Sequence, residues 1–237
     1  ALVNPKRLAD GNELRHLAGV GGAFYLVTAL RTRLRCSGHW DQSNQPNLKR
    51  YLDWVALGTL ADAAPLTLAN RILTAAGLGV LSETSGPGIS ALKEVCGLGG
   101  TPVSVWDVLF RLGPRLNAAG RLEDMSLGIA CLLSDKADEA MRMAEQLDTL
   151  NRERRNIEAE MQQAALADLE RINPAEDCSI ALFDESWHQG VIGILASRLK
   201  DKFHRPTIVF ASSEAGALKG SGRSIPGLHL RDALDLI

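Results

Sequence analysis

The sequence is poor in the residues that most often betray a function. Aromatics are 5% of its 237 positions, and there are five histidines. These stand at positions 16, 39, 188, 204 and 229 and form no cluster. Neither H-E-x-x-H nor G-x-S-x-G occurs, which excludes a zincin helix and a serine-hydrolase elbow. The four cysteines, Cys36, Cys96, Cys131 and Cys178, have no C-x-x-C spacing and are too sparse for a disulfide scaffold. Three of them sit among apolar neighbours, so they are expected to be reduced structural thiols of a cytoplasmic protein. No apolar run approaches the roughly 18 residues of a membrane span. Neither sign of charge dominates: 26 Lys and Arg face 28 Asp and Glu, a net charge of −2 that excludes a histone-like polycation. The start, Ala1-Leu2-Val3-Asn4-Pro5, carries no initiator Met and no signal-peptide pattern. The end, residues 228–237, is an amphipathic run without a cap, and the expectation is an internal piece of a longer protein. What is present is 46% apolar and 23% charged residues, the composition of a folded domain.

Periodicity divides the chain. Helical patterns cover 14–35, about 47–60 and Ala69 to about Leu81, the last ending in a glycine-rich stretch. Pro102 and Asp107 flank a short helical piece that is expected to stop at Gly113-Pro114. Ser134-Asp135 reads as an N-cap. Residues 135–172 contain neither Gly nor Pro, and their apolar positions recur at helical period, which predicts one long helix. Its thin apolar stripe suits a bridge between domains; a hairpin broken near Asn151 is the alternative. After Pro174 come a strand at 179–183, a helix at 190–203, strands at 206–210 and 217–220, and a helix from Gly227. The expected domains are therefore 1–133, the helix 134–173, and 174–237.

Charge is uneven along these segments. Residues 187–231 hold seven Lys and Arg against two acids, and residues 1–35 hold six against two. Residues 135–172 carry ten acids against six bases. Two basic regions around an acidic connector fit a polyanionic ligand.

Three constellations could carry chemistry. The run from Asp53 to Asp62 places carboxylates in and just beyond a helix, where they are either Mg²⁺ or Mn²⁺ ligands or plain surface and capping groups. In Gly113-Pro114-Arg115-Leu116-Asn117-Ala118-Ala119-Gly120-Arg121, small residues allow close backbone approach and the two guanidinium forks suit phosphate. It is no Walker loop, because the lysine and the spacing are wrong. The third pairs Trp187-His188-Gln189-Gly190 with Ser221-Gly222-Arg223-Ser224. Gly190 would open a helix whose N–H groups face an anion, Trp187 would offer a stacking face, and His188 would be an anion donor or a capping histidine.

Several of these stretches occur, in this order, in one known family. Val3-Asn4-Pro5-Lys6, Leu17-Ala18-Gly19-Val20-Gly21, Ala56-Leu57-Gly58-Thr59-Leu60-Ala61-Asp62, the Gly113–Arg121 segment, Trp187-His188-Gln189-Gly190-Val191-Ile192-Gly193 and Ser221-Gly222-Arg223-Ser224 resemble the RecJ family of the DHH phosphoesterase superfamily. These are bacterial 5′→3′ exonucleases specific for single-stranded DNA, acting in DNA repair and recombination. The resemblance covers essentially the whole chain. It implies an α/β fold: the rear part of a DHH phosphoesterase domain, a long connecting helix, and the β-α-β start of a DHH-associated domain. It also implies Mn²⁺ or Mg²⁺, with Asp62 as a catalytic metal ligand and Asp53 as the second choice. Arg115, Asn117 and Arg121 resemble groups along the DNA path. His188, Ser221, Arg223 and Ser224 match a pocket for the DNA 5′-phosphate. The implied partners are single-stranded DNA with a 5′ end and a helicase or single-strand-binding protein, with no membrane. The family's Asp-His-His and earlier aspartate motifs do not occur here, so the expectation is an active parent and an inactive isolated chain. The competing readings are a non-catalytic single-stranded-DNA-binding module and a phosphodiesterase for cyclic dinucleotides or short oligonucleotides.

Overall fold

The fold was described from a computed structural model, over residues 4–8, 11–84, 86–172, 177–213 and 216–236. Ala1, Leu2, Val3 and Pro174, named above, lie outside the described residues, as does the last residue of the run 228–237. The chain divides into two compact units, 1–149 and 150–237, and the long helix contributes to both.

The first unit is helical and organised around one short apolar helix. After α1 (Gly19–Cys36) comes α2 (Leu52–Ala61), whose sequence LDWVALGTLA is apolar on nearly every side. A helix of that kind has to be surrounded, and Val55, Ala56, Leu57 and Leu60 are all at most 4% exposed. Helix α3 (Leu68–Glu83) lies against it. The end of α3 is closed by the buried Lys93, whose Nζ donates to the carbonyls of Leu81 (3.2 Å) and Ser82 (2.7 Å). Such bonds satisfy carbonyls that a helix C-terminus leaves orphaned. Lys93 belongs to α4 (Pro87–Val95), a helix inside the stretch that the sequence suggested only as glycine-rich.

The expected break at Gly113-Pro114 does not occur. Helix α5 (Val105–Asp107) runs through a π-helical turn (Val108–Leu112) directly into α6 (Gly113–Leu122). The Gly113 N–H reaches back to the Val108 carbonyl, and Pro114 occupies the start of α6, where its missing N–H does no harm. The wider turn is what lets the helix pass a proline. Helix α7 (Ser126–Leu133) follows. The first helix also differs from its predicted start at 14: Glu13–His16 is a separate 3-10 turn, and α1 opens at Gly19.

Helix α8 (Ala137–Ile172) is unbroken for 36 residues, so no hairpin forms at Asn151. It begins two residues beyond the predicted Ser134-Asp135 cap; the Ser134 hydroxyl instead accepts the Lys136 N–H at 3.3 Å. Inside the second unit Glu158 accepts from Arg154 on its own helix (2.7 Å) and from Arg198 (3.1 Å).

Beyond α8, strand β1 (Ile180–Phe183) leads through α9 (Ile192–Phe203) to a parallel β2 (Thr207–Ser212), which turns back into an antiparallel β3 (Leu218–Arg223). The strand order is β1-β2-β3. The predicted last helix shortens to α10 (Leu230–Leu234), preceded by an Ile225–Leu228 bridge. Cys96 and Cys131 are buried, and burial pushes both thiols up to about 11. Cys36 and Cys178 are exposed, so two rather than three of the thiols are core groups. Among the described residues, no helix is long and apolar enough to cross a membrane.

Candidate functional site

Two places gather most of the predicted residues, one in each unit. In the first, α2 ends in a paired closure: the Ala64 N–H returns to the Thr59 carbonyl (3.1 Å) and the Ala63 N–H to that of Leu60 (2.8 Å). That closure needs a left-handed residue, and here it is Ala63, at φ 49°, where glycine is the usual choice. The result is an exposed Asp62 at the C-terminal end of the helix, the end whose dipole disfavours an anion. A carboxylate held there against the dipole is well placed to meet a cation.

Gly113 brings the next wall. A Cβ on it would lie 2.9 Å from the Val108 carbonyl oxygen and 3.1 Å from the Ala61 Cβ, so a glycine lets α6 start against the last turn of α2. Asn117 then donates to the Ala61 carbonyl at 3.4 Å. Together Asp62, Asn117 and Arg121, with Trp54, Leu116 and Met125, line a cavity of about 770 Å³.

Two predicted residues are not in it. Asp53 is buried; its carboxylate accepts the Trp54 N–H (2.7 Å) and the Thr84 hydroxyl (3.1 Å), tying α2 to the end of α3. It borders a separate cavity of about 440 Å³ with Arg50, Tyr51 and Ser134. Asp53 and Asp62 therefore do not form a pair. Arg115 turns to α8, where Nε and Nη2 both reach Asp148 Oδ1 at 2.8 Å, while its Nη1 donates to the Arg111 carbonyl. It holds α6 on α8 and does not line the cavity.

The second place lies on β3 and α9. Along a strand alternate side chains share a face. Gly220 and Gly222 face Phe210 and Leu230, where a Cβ would come within 2.7 Å and 2.5 Å of those side chains. The opposite face carries Ser221 and Arg223. The Arg223 guanidinium donates to the Ser197 hydroxyl (Nε, 2.7 Å) and to the Ser221 hydroxyl (Nη1, 3.1 Å), and Ser197 in turn donates to the Gly193 carbonyl. Gly193, in the first turn of α9, leaves room for that guanidinium: a Cβ there would sit 2.8 Å from Arg223 Nη2. One arginine and two hydroxyls beside the positive end of a helix are a set that suits a phosphate.

Of the two roles expected for His188, the geometry shows the cap. His188 Nδ1 accepts the Gly190 N–H at 3.1 Å, and the His188 carbonyl accepts from Val191 and Ile192, so this histidine caps the turn before α9. The helix opens at Ile192, not Gly190. Trp187 is buried in the core and offers no face to a base. The Ser224 hydroxyl accepts the Leu230 N–H at 3.0 Å and shapes the turn toward α10. Sequence reasoning missed Ser197. Its signal was helical spacing, four residues after Gly193 on the same face of α9.

Among the described residues, no group of three His, Cys, Asp or Glu side chains could hold a metal ion. Asp62 fits one oxygen ligand of such a site, and the described residues do not complete it.

Comparison with known proteins gives these arrangements a context. Residues 176–237 match the DHHA1 domain. Over 99% of its length the chain is 51% identical to the single-stranded-DNA-specific exonuclease RecJ of Escherichia coli K12, covering 42% of that protein. It is 36% identical to the RecJ of Bacillus subtilis 168, covering 28% of it. The chain thus spans about two fifths or less of the length of these relatives. Among solved structures, RecJ from Thermus thermophilus in complex with Mn²⁺ is similar, with a TM-score of 0.81 and 34% identity, over 98% of this chain and 33% of that one. An exonuclease RecJ bound to manganese is also similar, with a TM-score of 0.76 and 34% identity over 98% of this chain and 54% of that one.

Proposed function

We propose, from the premise that this chain is homologous to RecJ along its whole length, that it works in an exonuclease hydrolysing single-stranded DNA from the 5′ end with Mn²⁺ or Mg²⁺. The observation that supports the polarity is the Arg223–Ser221–Ser197 cluster, a guanidinium and two hydroxyls held together by hydrogen bonds. In this reading Arg223 and the two hydroxyls hold the 5′-phosphate, Asn117 and Arg121 line the path of the strand, and Asp62 holds a metal. The bound ion would polarise the scissile phosphodiester and lower the pKa of the attacking water. The metals of the solved relatives support the cofactor; binding without cutting by the chain alone belongs to the same reading. Arg115 and Asp53 are assigned to holding the helices, His188 and Ser224 to shaping the turns around the cluster. A cytoplasmic location, a role in DNA repair, and contact with a helicase or single-strand-binding protein belong to the same proposal. Single-stranded DNA is named for the relatives, which favours this reading over a cyclic-dinucleotide phosphodiesterase.

The test is a variant of the full-length protein. Asp62→Ala should lower cleavage of single-stranded DNA at saturating Mn²⁺ by at least about a hundredfold, since even groups that merely support metal ligands cost about 10–100-fold. DNA affinity should remain. Unchanged turnover would remove Asp62 from the metal site.

A further inference from the structure

Trp106 and Phe110 are 65% and 57% exposed, the most exposed aromatic side chains among the described residues. Their ring centroids lie 4.0 Å apart with the planes tilted by 35°. Large aromatics left in water as a contiguous pair mark a binding surface more often than chance. The pair also has a direction. The passage through the π-helical turn makes 105–122 one continuous helical stretch, and spacings of four, seven and four residues put Trp106, Phe110, Asn117 and Arg121 on one exposed line. Asn117 and Arg121 are walls of the Asp62 cavity, so the line starts in the cavity and ends on the rings.

We propose that Trp106 and Phe110 form a platform on which bases of a single-stranded nucleic acid stack, lengthening the strand's path beyond the Asp62 cavity. The inference rests on the single-stranded-DNA reading above and adds two residues to it. At about 1.5 Å of rise per residue, Phe110 lies about 10 Å along the helix from Asn117, close to three steps of a stacked strand at about 3.4 Å each. The local charge fits bases rather than phosphates: Arg111 beside Phe110 is paired with Asp107 at 3.4 Å, and Asp107 is also held in the Ser104 capping box. The platform therefore takes the uncharged faces of the bases, and the groups next along the line are polar, which suits a nucleic acid better than the apolar centre of a protein interface.

The experiment uses the 237-residue chain with an oligothymidylate and an abasic oligonucleotide of equal length, compared by fluorescence anisotropy at low salt. Trp106→Leu, and independently Phe110→Leu, should weaken oligothymidylate binding about tenfold and leave abasic binding unchanged. Both positions are exposed, so the leucine variants keep the fold. If each variant binds both ligands like the parent, or loses both equally, the platform is wrong while the phosphate-holding reading stands. If the parent chain binds neither ligand, both readings fall.

Discussion

The Asp62 cavity and the Arg223 cluster are assembled in opposite ways. The cavity is made of helix ends: one closed by a left-handed alanine, the other starting at a glycine beneath a π-helical turn. It presents a single acid to a wide space. The cluster is made of one strand face and the first turns of one helix, and its donors already bond to one another. A phosphate-holding site can be complete within a strand and a helix, because one guanidinium and two hydroxyls suffice. A metal site needs several carboxylates from separate elements, and among the described residues only Asp62 faces the cavity as one. In the proposed reading the 5′-phosphate is thus held within residues 150–237, while the path of the strand and the one acid of the cavity belong to residues 1–149.

The largest expected effect within the chain separates the two units. Removing one member of a mostly buried ion pair costs about 3 kcal/mol. Arg115→Ala should therefore lower the hydrogen-exchange protection of α6 and of the first half of α8 by about that amount. Protection in β1, β2 and β3 should stay as it was, and an equal loss there would show that the two units are not independent. A smaller effect is expected at the cluster. Gly193→Ala puts a methyl group against the Arg223 guanidinium, the flexible end of a side chain, so the fold should survive. Preference for a phosphorylated 5′ end should drop about threefold, the scale of one weakened hydrogen bond. A full loss of folding would mean that Gly193 serves the helix rather than the pocket.

Much of the second unit was legible in the sequence, and the reason is period. The apolar runs at 179–183 and 206–210 read as strands and are strands, whereas the strand expected at 217–220 runs on through Ser221 to Arg223, where pairing with β2 and not apolar alternation extends it. The first unit was harder because its landmarks depend on tertiary packing. Gly113-Pro114 reads as a break by local rules, and only the i→i+5 bond to Val108 shows how the helix continues. With a break there, Arg115 and Arg121 look interchangeable. Once α6 is continuous, Arg115 falls two residues, and so about 200°, from the face of Asn117. Asp53 and Asp62 are likewise alike in sequence and differ in burial: Asp53 is covered where Thr84 at the end of α3 meets it, while Asp62 lies just beyond its helix and is exposed. Trp187 looked like a stacking residue because its burial is not marked by the polar residues around it in the sequence.

The proposed hold of Arg223 on a DNA 5′-phosphate is tested most directly by binding of one single-stranded oligonucleotide with either a 5′-phosphate or a 5′-hydroxyl, to the chain and to its Arg223→Ala variant. A hydrogen-bonded charged contact contributes about 1.5–3 kcal/mol, so the parent should prefer the phosphorylated end by about 10- to 100-fold and the variant should have lost that preference. An equal loss of affinity for both ends, or a preference that survives the substitution, would contradict it.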